Sequence, residues 1–374
     1  MLISVSTASG VESATKRELY KLLGIDAPAI NGRITFEGDY KALVDCNINL
    51  STASRVFLVL AQFKCCDFDT LYDNLFEIDW KQFIPEKSKV IISPKLVDSK
   101  LNAFSATQSV AKKAICEKLK KQYKANILPE TGKVFEVEIA ITHDFCQVCL
   151  NTSGESLHKR GYRNLYGQAQ LKETLASAMI ELSVWNPSRP FVDLFTGTGT
   201  IAIEAALKEK NQAPGLRRKF DFEAFTNFDV KVLEQAKSDA ISRLSTEKPL
   251  KIHAFDVDEK QLKLAHQHAK RAGVADIIEF HEQDMATFKS TVSRGVAFAN
   301  PPYGERLEDR PMIEKLYKDY AHVRRNNAEW CFYTITPVTD FEKLFGARAD
   351  KKRKLYNGRI ECCFYAHLAK SNKK

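Results

Sequence analysis

Apolar and polar positions follow one rhythm in the first 150 residues of this chain and another in the rest. Residues 2–6 form a short apolar run that reads as a strand. Residues 11–23 carry Leu19, Leu22 and Leu23 at helical spacing, with Gly24 placed to end the helix. Asn31-Gly32 between Ala29-Ile30 and Ile34-Thr35-Phe36 predicts a hairpin. A second helix over 40–48 and a strand over 55–63 complete a small α+β unit. The next block predicts one or two short helices over 70–83, a strand over 89–94 and a long helix over 105–124. That helix opens on Ser105-x-x-Gln108, a capping-box pattern, and Val110, Ala114, Ile115, Leu119 and Tyr123 form its apolar stripe. Residues 134–141 and 145–150 alternate like strands of a hairpin or a sheet edge.

After a connector with Gly154, Gly161 and Gly167, residues 171–185 predict an amphipathic helix (Leu171, Leu175, Ala178, Met179, Leu182) that Asn186-Pro187 stops. From there short apolar runs alternate with helical patterns, the mark of a parallel sheet. The runs are 191–195, 252–255, 277–280, 296–299 and 330–335. A polar group falls at or just beyond the end of each of the first four: Asp193, Asp256, Asp284 and Asn300. Open α/β sheets bind ligands beyond the carboxyl ends of their strands, so these four residues are expected along one edge. Asn357-Gly358 marks a hairpin whose return strand runs through Tyr365, an antiparallel end to the sheet. Residues 208–250 read as an insertion without an assigned structure.

Two stretches carry chemistry. In the first, Asp193-Leu194-Phe195-Thr196-Gly197-Thr198-Gly199-Thr200, a strand passes through a glycine turn into a helix. Glycines let backbone amides approach a ligand at a helix N-terminus, so Phe195, Thr196, Gly197, Thr198 and Gly199 are candidate cofactor contacts. Gly197 to Ala202 also satisfies the dinucleotide fingerprint of a nicotinamide enzyme. Against that reading, Asp193 lies inside the preceding strand, and the basic Arg217-Arg218-Lys219 stands where an acid is expected. S-adenosylmethionine (SAM) needs carboxylates for a cationic amino acid moiety and for a ribose diol. Asp193 suits the first, and Asp256 is preferred to Asp229 for the second. The other stretch is Asn300-Pro301-Pro302-Tyr303. A buried strand runs into two prolines, and the stiff loop offers an amide and a flat aromatic face. It can hold an exocyclic amino group and stack on its base.

The 374 residues are enough for two or three domains. They are 44% hydrophobic and 28% charged, and no apolar run approaches the ~18 residues of a membrane span. The first ten residues lack a signal-peptide pattern, so a cytoplasmic protein without a membrane partner is expected. Net charge is +9, from 56 basic and 47 acidic residues, which fits a nucleic-acid partner without requiring one. Lys112, Lys113, Lys120 and Lys121 on the long helix are candidate RNA contacts, as are His158, Lys159, Arg160, Tyr162 and Arg163 in the connector. The alternatives are a solvated helix face and a linker pinned by ion pairs. The nine cysteines include a single CxxC, Cys146 and Cys149, in a strand pattern that points them to opposite faces, as core residues rather than metal ligands.

The order of elements over residues 2–154 resembles a ferredoxin-like domain followed by a THUMP domain, an RNA-binding module of RNA-modifying enzymes. The glycine stretch and Asn300-Pro301-Pro302-Tyr303-Gly304-Glu305-Arg306-Leu307 are similar to the cofactor and catalytic motifs of class I SAM-dependent amino-methyltransferases. Together they resemble the bacterial THUMP-containing large-subunit ribosomal RNA guanine-N2 methyltransferases. Leu194, Phe195 and Thr196 differ from the residues many relatives carry there, which leaves the glycines' backbone access intact. The resemblance implies an α/β, Rossmann-like class I methyltransferase domain, its mostly parallel sheet ending in an antiparallel hairpin, preceded by the two α+β domains. The expected limits are 1–55 ferredoxin-like, 56–154 THUMP, 155–170 connector and 171–374 methyltransferase. It implies SAM as cofactor, RNA as partner (23S rRNA or a ribosome-assembly intermediate) and guanine N2 as acceptor. Asn300 Oδ1 and the Pro301 carbonyl would take the amine's hydrogens, Pro302 would stiffen the loop and Tyr303 would stack on the flipped base. No metal, covalent nucleophile or strong base is needed. The competing readings are a tRNA guanine-N2 enzyme, a DNA or RNA adenine-N6 enzyme, and a non-catalytic RNA-binding assembly factor.

Overall fold

The computed structural model describes residues 1–163, 170–247, 249–303 and 310–369. It divides into two compact units, which the chain enters more than once. One comprises Met1–Thr7, Leu19–Leu157 and Arg217–Asp239, the other Ala8–Glu18, His158–Leu216 and Ala240–Lys374.

The chain opens with β1 (Leu2–Thr7), α1 (Glu12–Leu23), β2 (Ala29–Ile30), β3 (Arg33–Glu37), α2 (Tyr40–Asn49) and β4 (Ala53–Lys64). It continues through α3 (Phe68–Glu77), β5 (Lys89–Val97), α4 (Phe104–Tyr123), β6 (Val134–Thr142) and β7 (Phe145–Asn151). All seven strands lie in one sheet, in the order β2-β3-β1-β4-β7-β6-β5. β4 joins its two parts, pairing with β1 from Ala53 to Val59 and with β7 from Phe57 to Lys64. The boundary read between residues 55 and 56 therefore falls inside a strand shared by both parts. The capping box read at Ser105 and Gln108 does not form. α4 begins before Ser105, Ala103 occupies the N-cap without a side-chain bond, and Gln108 Nε2 donates to the Ile92 carbonyl at 3.2 Å.

The second unit continues with α5 (Glu173–Leu182), β8 (Phe191–Asp193) and α6 (Thr200–Glu209). α5 is shorter than the predicted 171–185, and residues 173–180 are all buried rather than a single stripe. The insertion then crosses to the first unit as a 3-10 turn (Asp221–Ala224) and most of α7 (Val230–Ser242). It is tied there by Arg218, which donates to the carbonyls of Glu155 at 2.6 Å and Ser156 at 2.8 Å, and by Lys133 paired with Asp221 at 2.8 Å. Phe225 packs edge-on against Phe83, ring centres 5.7 Å apart.

Back in the second unit come β9 (Ile252–Asp256), α8 (Glu259–Ala272), β10 (Ile278–Glu282), β11 (Val296–Ala299), α9 (Arg310–Asn326), β12 (Cys331–Thr336), α10 (Phe341–Phe345), β13 (Lys351–Asn357) and β14 (Ile360–His367). The sheet order is β10-β9-β8-β11-β12-β14-β13. The first five of these strands run parallel, and β14 pairs antiparallel with both β12 and β13. Apolar layers cover both faces, one holding Phe191, Phe298 and Tyr333, the other Val192, Ala297 and Phe332. Two-sided burial is why these strands read as continuous apolar runs. The chain steps outward from β8 to β10, then returns to β11 on β8's other side. The strand order therefore reverses between β8 and β11, where such sheets bind ligands.

Candidate active site

β8 ends on Asp193, and the glycine loop turns the chain into α6. Gly197 (φ 50°) and Gly199 (φ 89°) both take left-handed backbone that favours glycine. Their surroundings differ. A Cβ on Gly199 would sit 3.0 Å from the Ala265 Cβ of α8, whereas one on Gly197 would meet nothing within 4 Å. Gly199 therefore permits helix packing, and Gly197 keeps backbone open toward the cleft. The loop is held from behind. The Thr196 amide donates to the Phe255 carbonyl at 2.9 Å, and the Gly197 amide donates to Asp256 Oδ2 at 2.7 Å. His268 Nδ1 lies 3.1 Å from the Thr198 carbonyl.

A cleft of about 620 Å³ opens over this edge, and Asp193, Asp256, Asp284 and Asn300 all line it. Phe195, Thr196, Gly197 and Thr198 form one wall, while Gly199 lies behind it. Asp193 is fully buried. Its Oδ1 accepts the Phe195 amide at 3.4 Å and its Oδ2 has no partner. Burial, aided by the charge of Asp256, raises its pKa from 3.8 to about 7 against the pull of that amide. An unpaired buried carboxyl oxygen is costly until a donor meets it. Three acids and no Lys, Arg or His among the described lining residues make a cleft fitted to a cation. Val257, Met285, Met312 and Leu316 add apolar walls that the sequence reading missed. Val257 and Met285 each directly follow a strand-end acid, a signal that was available.

The catalytic-loop candidates separate into two groups. Asn300 and Pro302 line the cleft. Pro301 is buried, and its carbonyl belongs to the same turn. Tyr303 is half-buried, and its ring packs against the core cluster that holds Phe298 and Cys362. Its hydroxyl donates to Asn300 Oδ1 at 3.0 Å and lies 3.9 Å from the Cys362 thiol. Burial raises its pKa, so the hydroxyl keeps the proton it donates. Gly304 to Leu307 lie outside the described residues.

The sheet order, the acid-lined cleft and the polar turn after β11 together describe a nucleotide-cofactor enzyme, and the family comparison decides which kind. The RMKL-like methyltransferase domain matches residues 160–366. The chain belongs to the RMKL-like methyltransferases. The RlmL ferredoxin-like domain matches residues 3–57 and the THUMP domain residues 65–151. The Bacillus subtilis (strain 168) protein named "Putative RNA methyltransferase YpsC" is 39% identical over 363 residues, covering 96% of this chain and 94% of its own. The protein SMU.472, described as "a putative methyltransferase complexed with SAH", superposes with a TM-score of 0.91 at 34% identity, covering 100% of this chain and 99% of that one. A Listeria monocytogenes str. 4b F2365 protein, named as a predicted N6-adenine-specific DNA methylase, gives 0.92 at 36% identity, with 99% and 96% covered.

This RMKL-like chain treats its candidate RNA contacts unequally. Arg160, Tyr162 and Arg163 are buried in the second unit, not presented to a ligand. Arg160 pairs with Glu204 of α6 at 3.2 Å, and Tyr162 Oη donates to Glu204 at 3.1 Å. Ser177 bonds the same carboxylate, and Arg163 pairs with Glu173 at 3.5 Å. Arg160 and Arg163 are thus paired with acids of α6 and α5, so the ion-pinned linker describes these two. His158 and Lys159 flank this network and are half-buried. The rest of the connector, 164–169, lies outside the described residues. On α4, Lys112 is engaged with Glu130 at 2.5 Å and with the Val90 carbonyl at 2.8 Å. Lys120 is half-buried, while Lys113 and Lys121 are exposed. Lys113 lies over the Tyr72 ring at 5.7 Å and Lys121 over Phe76 at 5.6 Å.

Proposed function

We propose that this chain methylates the N2 amino group of a guanine in 23S rRNA. The coarser activity is that of a SAM-dependent RNA methyltransferase. The cofactor is SAM, which supplies an electrophilic methyl group on a sulfonium. The residues fit it: the Asp193 carboxyl has an oxygen without a partner, and open space lies above Gly197. Asp193 is assigned to the cofactor's ammonium group, Asp256 and Asp284 to its ribose and base end, and Val257 and Met285 to the faces of its purine. Among the described residues no helix is long and apolar enough to cross a membrane. The cytoplasm is the location that goes with a ribosomal substrate.

The observation that carries the proposal is Asn300 at the end of β11, opening onto the same cleft as Asp193 on the neighbouring strand. An exocyclic amine delocalises its lone pair into the base and is a poor nucleophile. Asn300 Oδ1 and the Pro301 carbonyl can accept its two hydrogens, which favours a pyramidal nitrogen with its lone pair free to attack. Tyr303 donates to Asn300 Oδ1, which would restrain the amide and leave Oδ1 a second lone pair for the substrate. The nitrogen would take the methyl group and then lose one N–H proton, which is acidic enough once methylated for water to accept, so neither a strong base nor a metal is needed. The ferredoxin-like front and the RMKL-like half support a large-subunit guanine. Adenine N6 is the second reading, favoured by the name of the Listeria structure, because the same loop can hold either amine.

Asn300→Ala is expected to lower kcat at least about 100-fold, the scale of one lost polar stabilising group, with SAM affinity nearly unchanged. Equal losses in both would remove Asn300 from the chemistry. Labelled-SAM assays on rRNA, tRNA and duplex DNA, with nucleoside analysis of the product, separate guanine from adenine.

A further inference from the structure

β10 is the outer strand of the second sheet and runs parallel to β9, with His253 opposite Glu279 and Phe255 opposite His281. Alternation along the strands puts these four side chains on one face. The His253 and Glu279 side chains are 37% and 46% exposed, so the face opens to solvent at the sheet's edge. Aromatic contacts hold the rings. His281 stacks on Phe255 with centres 4.6 Å apart, and His253 stacks on His281 at 5.3 Å. His253 Nδ1 lies 3.0 Å from His281 Nε2 and 3.5 Å from Glu279 Oε2. One ligand atom from each of the three residues falls within 4.8 Å of the others. None of the three lines the cofactor cleft.

We propose that His253, Glu279 and His281 bind one divalent transition-metal ion of the zinc class. In a tetrahedral zinc site with bonds of about 2.0–2.1 Å, neighbouring donor atoms sit roughly 3.3 Å apart, and the separations of 3.0 and 3.5 Å bracket that value. Two imidazoles and one carboxylate suit zinc, whereas magnesium and calcium prefer all-oxygen sets. The open edge supplies an entry path and leaves the fourth position to water. A bound ion ties β9 to β10 at the outer edge of the sheet, so its role is to stabilise that strand pair rather than to shape the cofactor cleft. Methyl transfer is not routed through it.

The test uses the untagged full-length protein, stripped of metal with a chelator and titrated with Zn²⁺ by calorimetry and with Co²⁺ by visible absorption. One ion per chain is expected, with the spectrum of a four-coordinate nitrogen/oxygen site and a higher Tm for the loaded protein. His253→Gln and His281→Ala should each weaken binding at least about tenfold. His253→Gln changes a partly exposed side chain, so its SAM affinity and circular dichroism should match the parent, separating lost ligation from lost fold. No binding by the parent chain would overturn the proposal. So would undiminished binding in the double variant, or a thiolate charge-transfer band locating the ion on cysteine.

Discussion

Asp193 is a carboxyl with no exposed surface and one unpaired oxygen, and its cost sets how the cofactor site responds to pH. Its pKa is raised from 3.8 to about 7, so the folded protein holds that proton where an unfolded chain has lost it. Stability of the cofactor-free protein should therefore fall as pH rises through that interval and level off above it. A cationic ligand needs the carboxylate. SAM affinity should strengthen as pH rises to about 7, and binding below that pH should release a proton. Calorimetry in two buffers of different ionisation enthalpy measures both. Asp193→Asn should flatten the dependence and weaken binding by about 1.5–3 kcal/mol, the worth of a charge-assisted hydrogen bond. Tyr303 supplies a second test at this scale. Tyr303→Phe keeps the ring and removes the bond to Asn300. If the hydroxyl positions Asn300, kcat falls about tenfold or more, a loss of roughly 1.4 kcal/mol, with KM for RNA little changed. Retained kcat would return Tyr303 to base stacking. The acids were legible because Asp193 and Asp256 close apolar runs and Asp284 follows one by a few residues. The direction of Tyr303 was not, because the hairpin carrying Cys362, 59 residues on, helps to fix it.

At the scale of elements, buried charge brings the connector onto the helix that starts at the glycine loop. Arg160 and Glu204 are almost wholly enclosed, at 3% and 1% side-chain exposure. Breaking a buried pair strands the remaining charge. Arg160→Ala should therefore destabilise the fold by about 3–5 kcal/mol, read by denaturant unfolding. If Arg160 contacted RNA instead, the same change would reduce RNA affinity and its salt dependence while leaving stability nearly intact. A cluster of cations usually marks a solvated or ligand-facing surface, which is why these residues suggested RNA. The corrective signal lay in α6, where Glu204 stands alone in the run Ile201-Ala202-Ile203-Glu204-Ala205-Ala206. A lone acid in an apolar helix calls for a buried partner. Just before β11, a Cβ on Gly295 would meet the Trp330 ring at 2.3 Å. Gly295→Ala should therefore cost about 1–3 kcal/mol through overpacking and displace the strand that delivers Asn300. Thermal unfolding with a parallel activity assay would check both effects.

Across the whole molecule, linear order is a poor guide to which residues fold together. The parallel strands, the closing hairpin and the α+β front were legible because each draws on local periodicity. The crossings were not. Ala8–Glu18 lies near the start of the chain but belongs to the second unit, where Val11 and Ala14 are core residues, and Arg217–Asp239 belongs to the first. Their partners lie far away in sequence, and no local pattern announces them. A fragment starting at Tyr162 would therefore lack core residues of the second unit, Val11 and Ala14, as well as Arg160. Its inactivity would say nothing about RNA delivery. Charge reversal in the intact chain asks that question directly. Lys113 and Lys121 stand exposed on α4 over the rings of Tyr72 and Phe76, and neither is among the residues that line the cofactor cleft. If this face holds RNA phosphates, the double variant Lys113→Glu/Lys121→Glu should bind RNA more weakly. Two lost phosphate contacts should also lower the slope of log affinity against log salt by about 1.4. SAM affinity should be unchanged, because neither lysine touches the cleft. An unaltered salt slope would mean that the phosphates are held elsewhere, and the basic face of α4 would then be only a solvated helix surface.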